Sequence, residues 1–194
     1  MSKPSVPTTS LLTADEFFDW CHRPENEARQ WELERGKVVE VSRPGERHCA
    51  VCANVTRLLG NYVWQRRKGY VCGNDTGVVW ERAPDTVRGP DIILYDRSAK
   101  FEEMNPKHSD EAPTLAVELL SPTDRPNRVN RRLGQFLKWG TKVVWLLDPE
   151  DRTVSIYRPG QLPQVLDDTD DLDGEPELPG FRCRVADFYS LPGE

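Results

Sequence analysis

Apolar positions recur at helical spacing in two long stretches of the chain. Between residues 46 and 68 the apolar positions lie three or four residues apart, at Val51, Val55, Leu58, Leu59 and Tyr62. This spacing is typical of an amphipathic helix with one buried face. Between residues 125 and 139 the same spacing recurs opposite a row of arginines, at Val129, Leu133, Phe136 and Leu137. A short third helix is predicted from Thr13, because Thr13 and Glu16 have the spacing of a capping box.

Short apolar runs separate these helices and predict β-strands. The runs are "YVCG", "GVVWE", "DIILYD", "TLAVELL", "KVVWLLD" and "TVSIYR". Upstream, "QWELERGKVVEVS" predicts a hairpin that turns at Arg35-Gly36, and "FRCRVADFYSL" predicts a final strand and short helix. The charge run at residues 167–177 predicts a solvated loop. The element order indicates an α/β or α+β fold with one central mixed sheet flanked by helices, in which "DIILYD" and "TLAVELL" are neighbours.

Length and composition favour one domain with a real core. The chain has 194 residues, 37% hydrophobic and 30% charged, so we expect a single domain over residues 11–194 preceded by a flexible arm of residues 1–10. A net charge of −6 argues against a polybasic nucleic-acid binder, although a local basic groove remains compatible with it. No signal peptide or membrane-spanning run is recognisable, so we expect a cytoplasmic protein without a membrane partner.

Cysteine usage agrees with a reducing compartment. The chain has five cysteines, an odd number, and a disulfide framework is therefore not expected. Cys49 and Cys52 form a C-x-x-C pair, but no second Cys/His pair follows at the spacing of a zinc site. A structural zinc ion is therefore not expected.

Two of the predicted strands carry one acid each among apolar neighbours. Asp91 follows Pro90 at the start of "DIILYD", and Glu118 lies inside "TLAVELL". Buried carboxylates need a cation, and Mg²⁺ suits them because it takes oxygen ligands and keeps several waters. Such an ion can activate water and neutralise charge on a phosphoryl group. The alternative is two unrelated acids at strand edges, and these two residues alone do not decide between the readings.

The order of motifs resembles the Uma-two family of restriction-endonuclease-like proteins, within the PD-(D/E)XK nuclease superfamily. The matching motifs span almost the whole chain: "WELERGKVVEVS" at 31–42, His48, "GPD" at 89–91, "VELLSP" at 117–122, "FLKWGTKVVWLLDP" at 136–149, a strand with Tyr157, and "LPGFRCRVADFYSL". The resemblance implies a restriction-endonuclease-like core with a central mixed sheet and an N-terminal hairpin. It also implies a metal-dependent endonuclease that uses Mg²⁺, with Mn²⁺ as a substitute, and acts on DNA.

The resemblance also implies an acidic site built from Glu32, Asp91 and Glu118. Asp91 and Glu118 would be the direct metal ligands and catalytic, and Glu32 an outer ligand or water-orienting group. Glu32 has the alternative of a solvated strand acid. His48 is either a phosphate contact or a histidine that caps or packs the helix.

The catalytic lysine of the superfamily has no counterpart at its usual position. Two residues after Glu118 this chain has Leu120. The resemblance to the Uma-two family implies a lysine on the following helix instead, eight residues before the glycine of a "YxxxG" motif. Counting back eight residues from Gly140 gives Arg132. Arginine keeps the positive charge but essentially never deprotonates. A mechanism that needs a neutral lysine base would therefore fail, whereas one that needs only charge stabilisation could operate with Arg132.

Arginines cluster on or near the helix at residues 125–139 in an otherwise acidic protein. We expect Arg128 and Arg131, together with His48, to contact the phosphate backbone of DNA. An ordinary solvated helix face with salt bridges is the alternative.

The sequence as a whole predicts a metal-dependent DNA endonuclease that acts as a homodimer, because cutting both strands often pairs two sites. One alternative is a catalytically silent protein of the same fold that binds nucleic acid or a protein partner. A purely structural domain is the other. Metal binding separates the first two from the third, and metal-dependent cleavage separates the enzyme from the silent binder.

Overall fold

The computed structural model describes residues 11–73, 76–122 and 124–193, so the predicted arm of residues 1–10 lies outside the described residues. Within this part of the chain there are four α-helices: α1 (Ala14–Cys21), α2 (Glu46–Arg66), α3 (Pro126–Lys138) and α4 (Ala186–Tyr189). The strands of the first half are β1 (Gln30–Glu34), β2 (Lys37–Val41), β3 (Tyr70–Gly73), β4 (Val78–Glu81), β5 (Thr86–Arg88) and β6 (Ile92–Tyr95). Those of the second half are β7 (Leu115–Leu119), β8 (Val143–Asp148), β9 (Thr153–Tyr157), β10 (Gln164–Leu166), β11 (Asp171–Asp173) and β12 (Arg182–Arg184).

The central element is a six-stranded mixed sheet with strand order β10-β9-β8-β7-β6-β3. Strands β7 and β8 are parallel, and the other neighbouring pairs are antiparallel. Strands β6 and β7 are direct neighbours, which confirms the predicted pairing of "DIILYD" with "TLAVELL". A parallel pair needs a crossover connection, and α3 provides it between β7 and β8.

Strands β6 and β7 are buried on both faces, and the two faces pack against different helices. Ile92, Leu94 and Val117 contact the apolar stripe of α2. Their sequence neighbours on the opposite face, including Ile93 and Ala116, pack with Leu133 and Phe136 of α3. Burial on both faces explains why these strands read as near-continuous apolar runs. An acid in such a run, as at Glu118, is therefore an exception that requires a chemical reason.

A second sheet carries the predicted hairpin. Its strand order is β2-β1-β5-β4, and β1 turns into β2 through Arg35 and Gly36, both at positive φ (49° and 75°). Two consecutive left-handed residues form the tight turn that matches the twist of a hairpin, and glycine adopts this conformation readily. Helix α1 packs beneath this sheet and begins with the predicted Thr13–Glu16 capping box.

Three short strands were missed or misassigned by the sequence patterns. The charge run at 167–177 is not simply a solvated loop, because β11 lies within it and pairs with β12. Leu172, at the centre of β11, is fully buried. Strands β5 and β10 have three residues each, which is too short for an alternating pattern to be recognised.

Among the described residues, no helix is both long enough and apolar enough to cross a bilayer.

Candidate metal and nucleic-acid site

A cleft of about 660 Å³ collects all seven predicted site residues in one place. They are Glu32, His48, Asp91, Glu118, Arg128, Arg131 and Arg132. These residues come from both sheets and from helices α2 and α3, and lie as far apart in the chain as 100 positions. The fold therefore brings the residues that the sequence motifs selected together in one cleft.

Glu118 is the most deeply buried acid of the cleft. It lies in β7 opposite Leu146 of β8, on the face of the sheet that packs against α3. Its Oε2 accepts a hydrogen bond from Nη1 of Arg132 at 3.0 Å, but its Oε1 is buried and has no hydrogen-bond partner among the described residues. Burial raises the pKa of Glu118 to about 8, although Arg132 acts in the opposite direction.

Arg132 joins two acids that belong to different sheets. While Nη1 donates to Glu118, Nη2 donates to both carboxylate oxygens of Glu32 in β1, at 3.2 and 3.1 Å. The carboxylate of Glu118 raises the pKa of Arg132 above that of free arginine, so the guanidinium is charged throughout the accessible pH range. Arg132 thus occupies the centre of the cleft as a fixed positive charge.

A second arginine, Arg88, forms ion pairs with Glu32 and Glu34 of the β1–β2 hairpin. It lies in β5, and its side chain is only 6% exposed. Its guanidinium contacts Glu32 at 3.4 Å and Glu34 at 3.3 Å. Burial lowers the pKa of Arg88, opposed by the charge of Glu32. Glu32 is therefore not a solvated strand acid, since two guanidiniums hold it inside the cleft.

Asp91 is held rigidly at the start of β6. Its Oδ2 accepts the backbone N–H of Leu119 at 2.8 Å, and its Oδ1 lies 2.8 Å from Nε2 of His48. The bond to Leu119 places the Asp91 carboxylate beside the strand residue that follows Glu118. His48 lies in the first turn of α2, three residues after the N-cap Gly45, and its side chain contacts Asp91.

The donor set fits a hard divalent cation. Asp91 and Glu118 offer carboxylate oxygens, which Mg²⁺ prefers, and Oε1 of Glu118 is an acceptor for which the described part of the chain supplies no donor. Unsatisfied buried acceptors are rare and unfavourable. A cation bound by this oxygen would remove the deficit.

Two of the arginines on α3 lie at the solvent edge of the cleft. Arg131 is exposed and contacts Glu34 at 3.3 Å. Arg128 is exposed, and it forms no ion pair with any residue in the described part of the chain. Arg131 therefore agrees with the alternative of a solvated helix face with salt bridges. The positive charge of Arg128 is available to a ligand.

Sequence reasoning missed Arg88 and Cys52. Arg88 ends the unrecognised strand β5, only three positions before Asp91, and a charged residue after the β-branched pair Thr86-Val87 was the available signal. Cys52 lies on α2 one turn after His48, and its sulfur, the His48 ring and an Asp91 oxygen lie within 4.8 Å of one another. The four-residue spacing of His48 and Cys52 was the signal in that case.

Comparison with known proteins identifies first the fold and then the family. A solved structure, described as a putative nuclease belonging to DUF820 from Anabaena variabilis ATCC 29413, matches with a TM-score of 0.73 and 23% identity over 92% of this chain and 97% of that chain. The two chains share the restriction-endonuclease-like fold. No curated protein matches the chain. The Uma2 (Uma-two) family model, described as "Putative restriction endonuclease", matches residues 14–186, and the chain therefore belongs to this family.

The raised pKa of Glu118 predicts a specific dependence of stability on pH in metal-free protein. The pKa of Glu118 is about 8 in the folded protein, against an ordinary value of 4.5. Between these two pH values Glu118 therefore keeps its proton in the folded protein and loses it in the unfolded protein. The free energy of unfolding should therefore fall as the pH rises through this window, by up to about 1.4 kcal/mol per pH unit. Glu118→Gln removes this ionisation, so in chelator the variant should gain stability relative to the native protein from pH 5 to 8 and level off above.

Urea unfolding at several pH values measures this difference. Glu150→Gln, at an exposed glutamate outside the cluster of Glu32 and Glu118, is the matched control. A difference between Glu118→Gln and native protein that is the same at every pH would contradict the raised pKa.

Proposed function

We propose that this protein is a Mg²⁺-dependent endonuclease that hydrolyses phosphodiester bonds of DNA. The observation that carries the proposal is the buried, unpartnered Oε1 of Glu118 in a cleft that also holds Asp91 and a row of arginines. Membership of the Uma2 family supports a nuclease. The nuclease description of the similar solved structure supports the same class.

Asp91 and Glu118 are the proposed ligands of the cation. When bound, a divalent cation supplies a more acidic water and neutralises charge that builds on a phosphoryl group. Asp91 is preorganised for this role, because the Leu119 N–H and His48 orient both of its oxygens. Glu118 must be ionised to bind, and its proton leaves to solvent when the cation takes over the charge. Mn²⁺ should substitute for Mg²⁺, since it accepts the same oxygen ligands.

Arg132 is proposed to stabilise negative charge and not to accept a proton. A guanidinium between two carboxylates is never neutral in water. With a cation held by Glu118, Nη1 of Arg132, which here donates to Glu118, would be able to donate to a phosphate oxygen in the cleft. Glu32, held by Arg88 as well, keeps Arg132 in place during this exchange.

DNA is the proposed substrate because the solvent edge of the cleft is basic in an acidic protein. Arg128 and Arg131 lie at this edge, and phosphate contacts dominate the affinity of proteins for nucleic acids. His48 is also a proposed phosphate contact. Its ring would have to move away from Asp91 to reach a phosphate. The proposal includes a homodimer, because nucleases that cut both strands often pair two sites, and a cytoplasmic location.

A second candidate is a catalytically silent member of the fold that binds nucleic acid or a protein partner. The favouring observation is Arg132 itself, which replaces the family's lysine and is already bound by Glu118 and Glu32. An arginine held by two carboxylates stabilises the cleft without any cation. The two candidates differ in whether the protein cleaves DNA when Mg²⁺ is present.

The metal-binding part of the proposal predicts the behaviour of Asp91→Asn. This variant keeps an acceptor for the Leu119 N–H but loses the negative charge. Mn²⁺ affinity, measured by calorimetry, should fall at least about 10- to 100-fold, the range seen when even outer partners of a metal ligand are removed.

Asp173→Asn is the control, because Asp173 is an aspartate that contacts a basic side chain, Arg182, outside the cleft. It should bind Mn²⁺ like the native protein. Unchanged Mn²⁺ affinity in Asp91→Asn would exclude this site as the metal centre.

The proposed role of Arg132 predicts opposite results for two substitutions. Arg132→Gln keeps hydrogen-bond donors but removes the charge, and cleavage of plasmid DNA with Mg²⁺ should fall roughly 10²-fold or more. Arg132→Lys keeps the charge and is the residue of the family, so it should retain or raise cleavage. Arg152→Gln, at an exposed arginine paired with Asp168, should cleave like native protein.

Thermal melting of each variant establishes the folded fraction before activity is compared. A folded Arg132→Gln that cleaves as fast as native protein would contradict the role of the charge. If neither native protein nor Arg132→Lys cleaves DNA, the silent-binder candidate replaces the enzyme.

A further inference from the structure

Helix α2 presents a histidine and a cysteine to Asp91. His48 and Cys52 are four residues apart, which places them one above the other on the same face of the helix. Nε2 of His48 lies 2.8 Å from Oδ1 of Asp91, and one ligand atom from each of the three side chains lies within 4.8 Å of the others. The His48 and Asp91 side chains are only 12% and 16% exposed. A nitrogen, a sulfur and an oxygen donor therefore lie close together at one largely buried position.

We propose that His48, Cys52 and Asp91 form a zinc-binding site, which no comparison assigns. Thiolate and imidazole select zinc over magnesium, because magnesium prefers oxygen ligands. Zinc bonds of roughly 2.0–2.3 Å in a tetrahedron hold the ligand atoms roughly 3.5 Å apart. The three donor atoms reach that arrangement by small side-chain movements, with the His48–Asp91 pair opening slightly and Cys52 approaching.

The site differs from the one that the C-x-x-C motif suggests. Cys49 is exposed, and it does not belong to the group of donors found in the described residues. Two residues separate Cys49 from Cys52 and three separate His48 from Cys52, and only the second pair belongs to the donor group with Asp91. Three protein ligands leave the fourth position to water, as in zinc sites that are open and exchangeable and not purely structural.

Asp91 would serve two cations, and this consequence rests on the proposed function. The same carboxylate is a ligand of the proposed Mg²⁺ site and of the zinc site. A zinc ion there would occupy Oδ1 of Asp91, which lies 2.8 Å from His48, and would add a second positive charge to the cleft. Zinc should therefore weaken the binding of Mg²⁺ or Mn²⁺ and act as an inhibitor of the cleft.

Titration of metal-free protein with Zn²⁺ alone tests the site itself. Native protein should bind one Zn²⁺ by calorimetry, and Co²⁺ should give the absorption of a cobalt–thiolate bond. Cys52→Ser should lose the cobalt–thiolate band, and both Cys52→Ser and His48→Gln should bind Zn²⁺ at least about 10- to 100-fold more weakly. Cys49→Ser, the matched control on the same helix, should match native protein in both measurements.

The results that overturn the site are equally definite. A cobalt–thiolate band that survives in Cys52→Ser, or that disappears in Cys49→Ser, overturns the assignment of Cys52. Circular dichroism confirms that each variant is folded, and His48→Gln tests the same site without altering a thiol.

A second titration separates this proposal from the proposed function. Zn²⁺ added to Mn²⁺-loaded native protein should release Mn²⁺, detected by the paramagnetic resonance of free Mn²⁺, and should release far less from Cys52→Ser. Zn²⁺ binding that leaves Mn²⁺ in place overturns the sharing of Asp91. Absence of Mn²⁺ binding counts against the proposed function, while the Co²⁺ spectrum still decides the zinc site.

Discussion

The buried carboxyl of Glu118 shares its guanidinium partner, Arg132, with a second acid, Glu32. Arg88 contacts Glu32 and Glu34, Arg132 contacts Glu32 and Glu118, and Oε1 of Glu118 lacks a partner among the described residues. Burial of an unbalanced charge is strongly unfavourable, so Glu118 either keeps its proton or shares a cation. The raised pKa of Glu118 expresses this constraint. A cation bound at Glu118 would therefore also balance the charge of this buried carboxyl.

The same charges also hold the architecture together. Arg132 extends from α3 and joins β7 of the central sheet to β1 of the hairpin sheet, so the position of the hairpin depends on an ion-pair network as well as on apolar packing. Removing one partner of a buried ion pair typically costs about 3–5 kcal/mol. Arginine suits this position because its planar fork reaches two carboxylates at once. An arginine at this position therefore connects the two sheets, and it essentially never deprotonates.

Much of this arrangement could be predicted from local patterns in the sequence. The capping box of α1, the Arg35-Gly36 turn and the apolar stripe of α2 each depend on residues close in the chain. The motif around Asp91 and Glu118 located the two acids, and the resemblance to the family added Glu32 and Arg132. Arg88 could not be found in this way, because its role depends on the distant pairing of β5 with β1. Cys52 gained its significance only through the approach of α2 to Asp91.

The proposed divalent cation would give the Oε1 of Glu118, which has no partner among the described residues, a positive partner. A crystal structure of the protein with Mn²⁺, with the anomalous signal of manganese recorded, tests this most directly. We expect one anomalous peak bound by oxygens of Asp91 and Glu118, with Oε1 of Glu118 as a ligand. A structure at saturating Mn²⁺ with no peak between these carboxylates, and with Glu118 still bound only by Arg132, would contradict it.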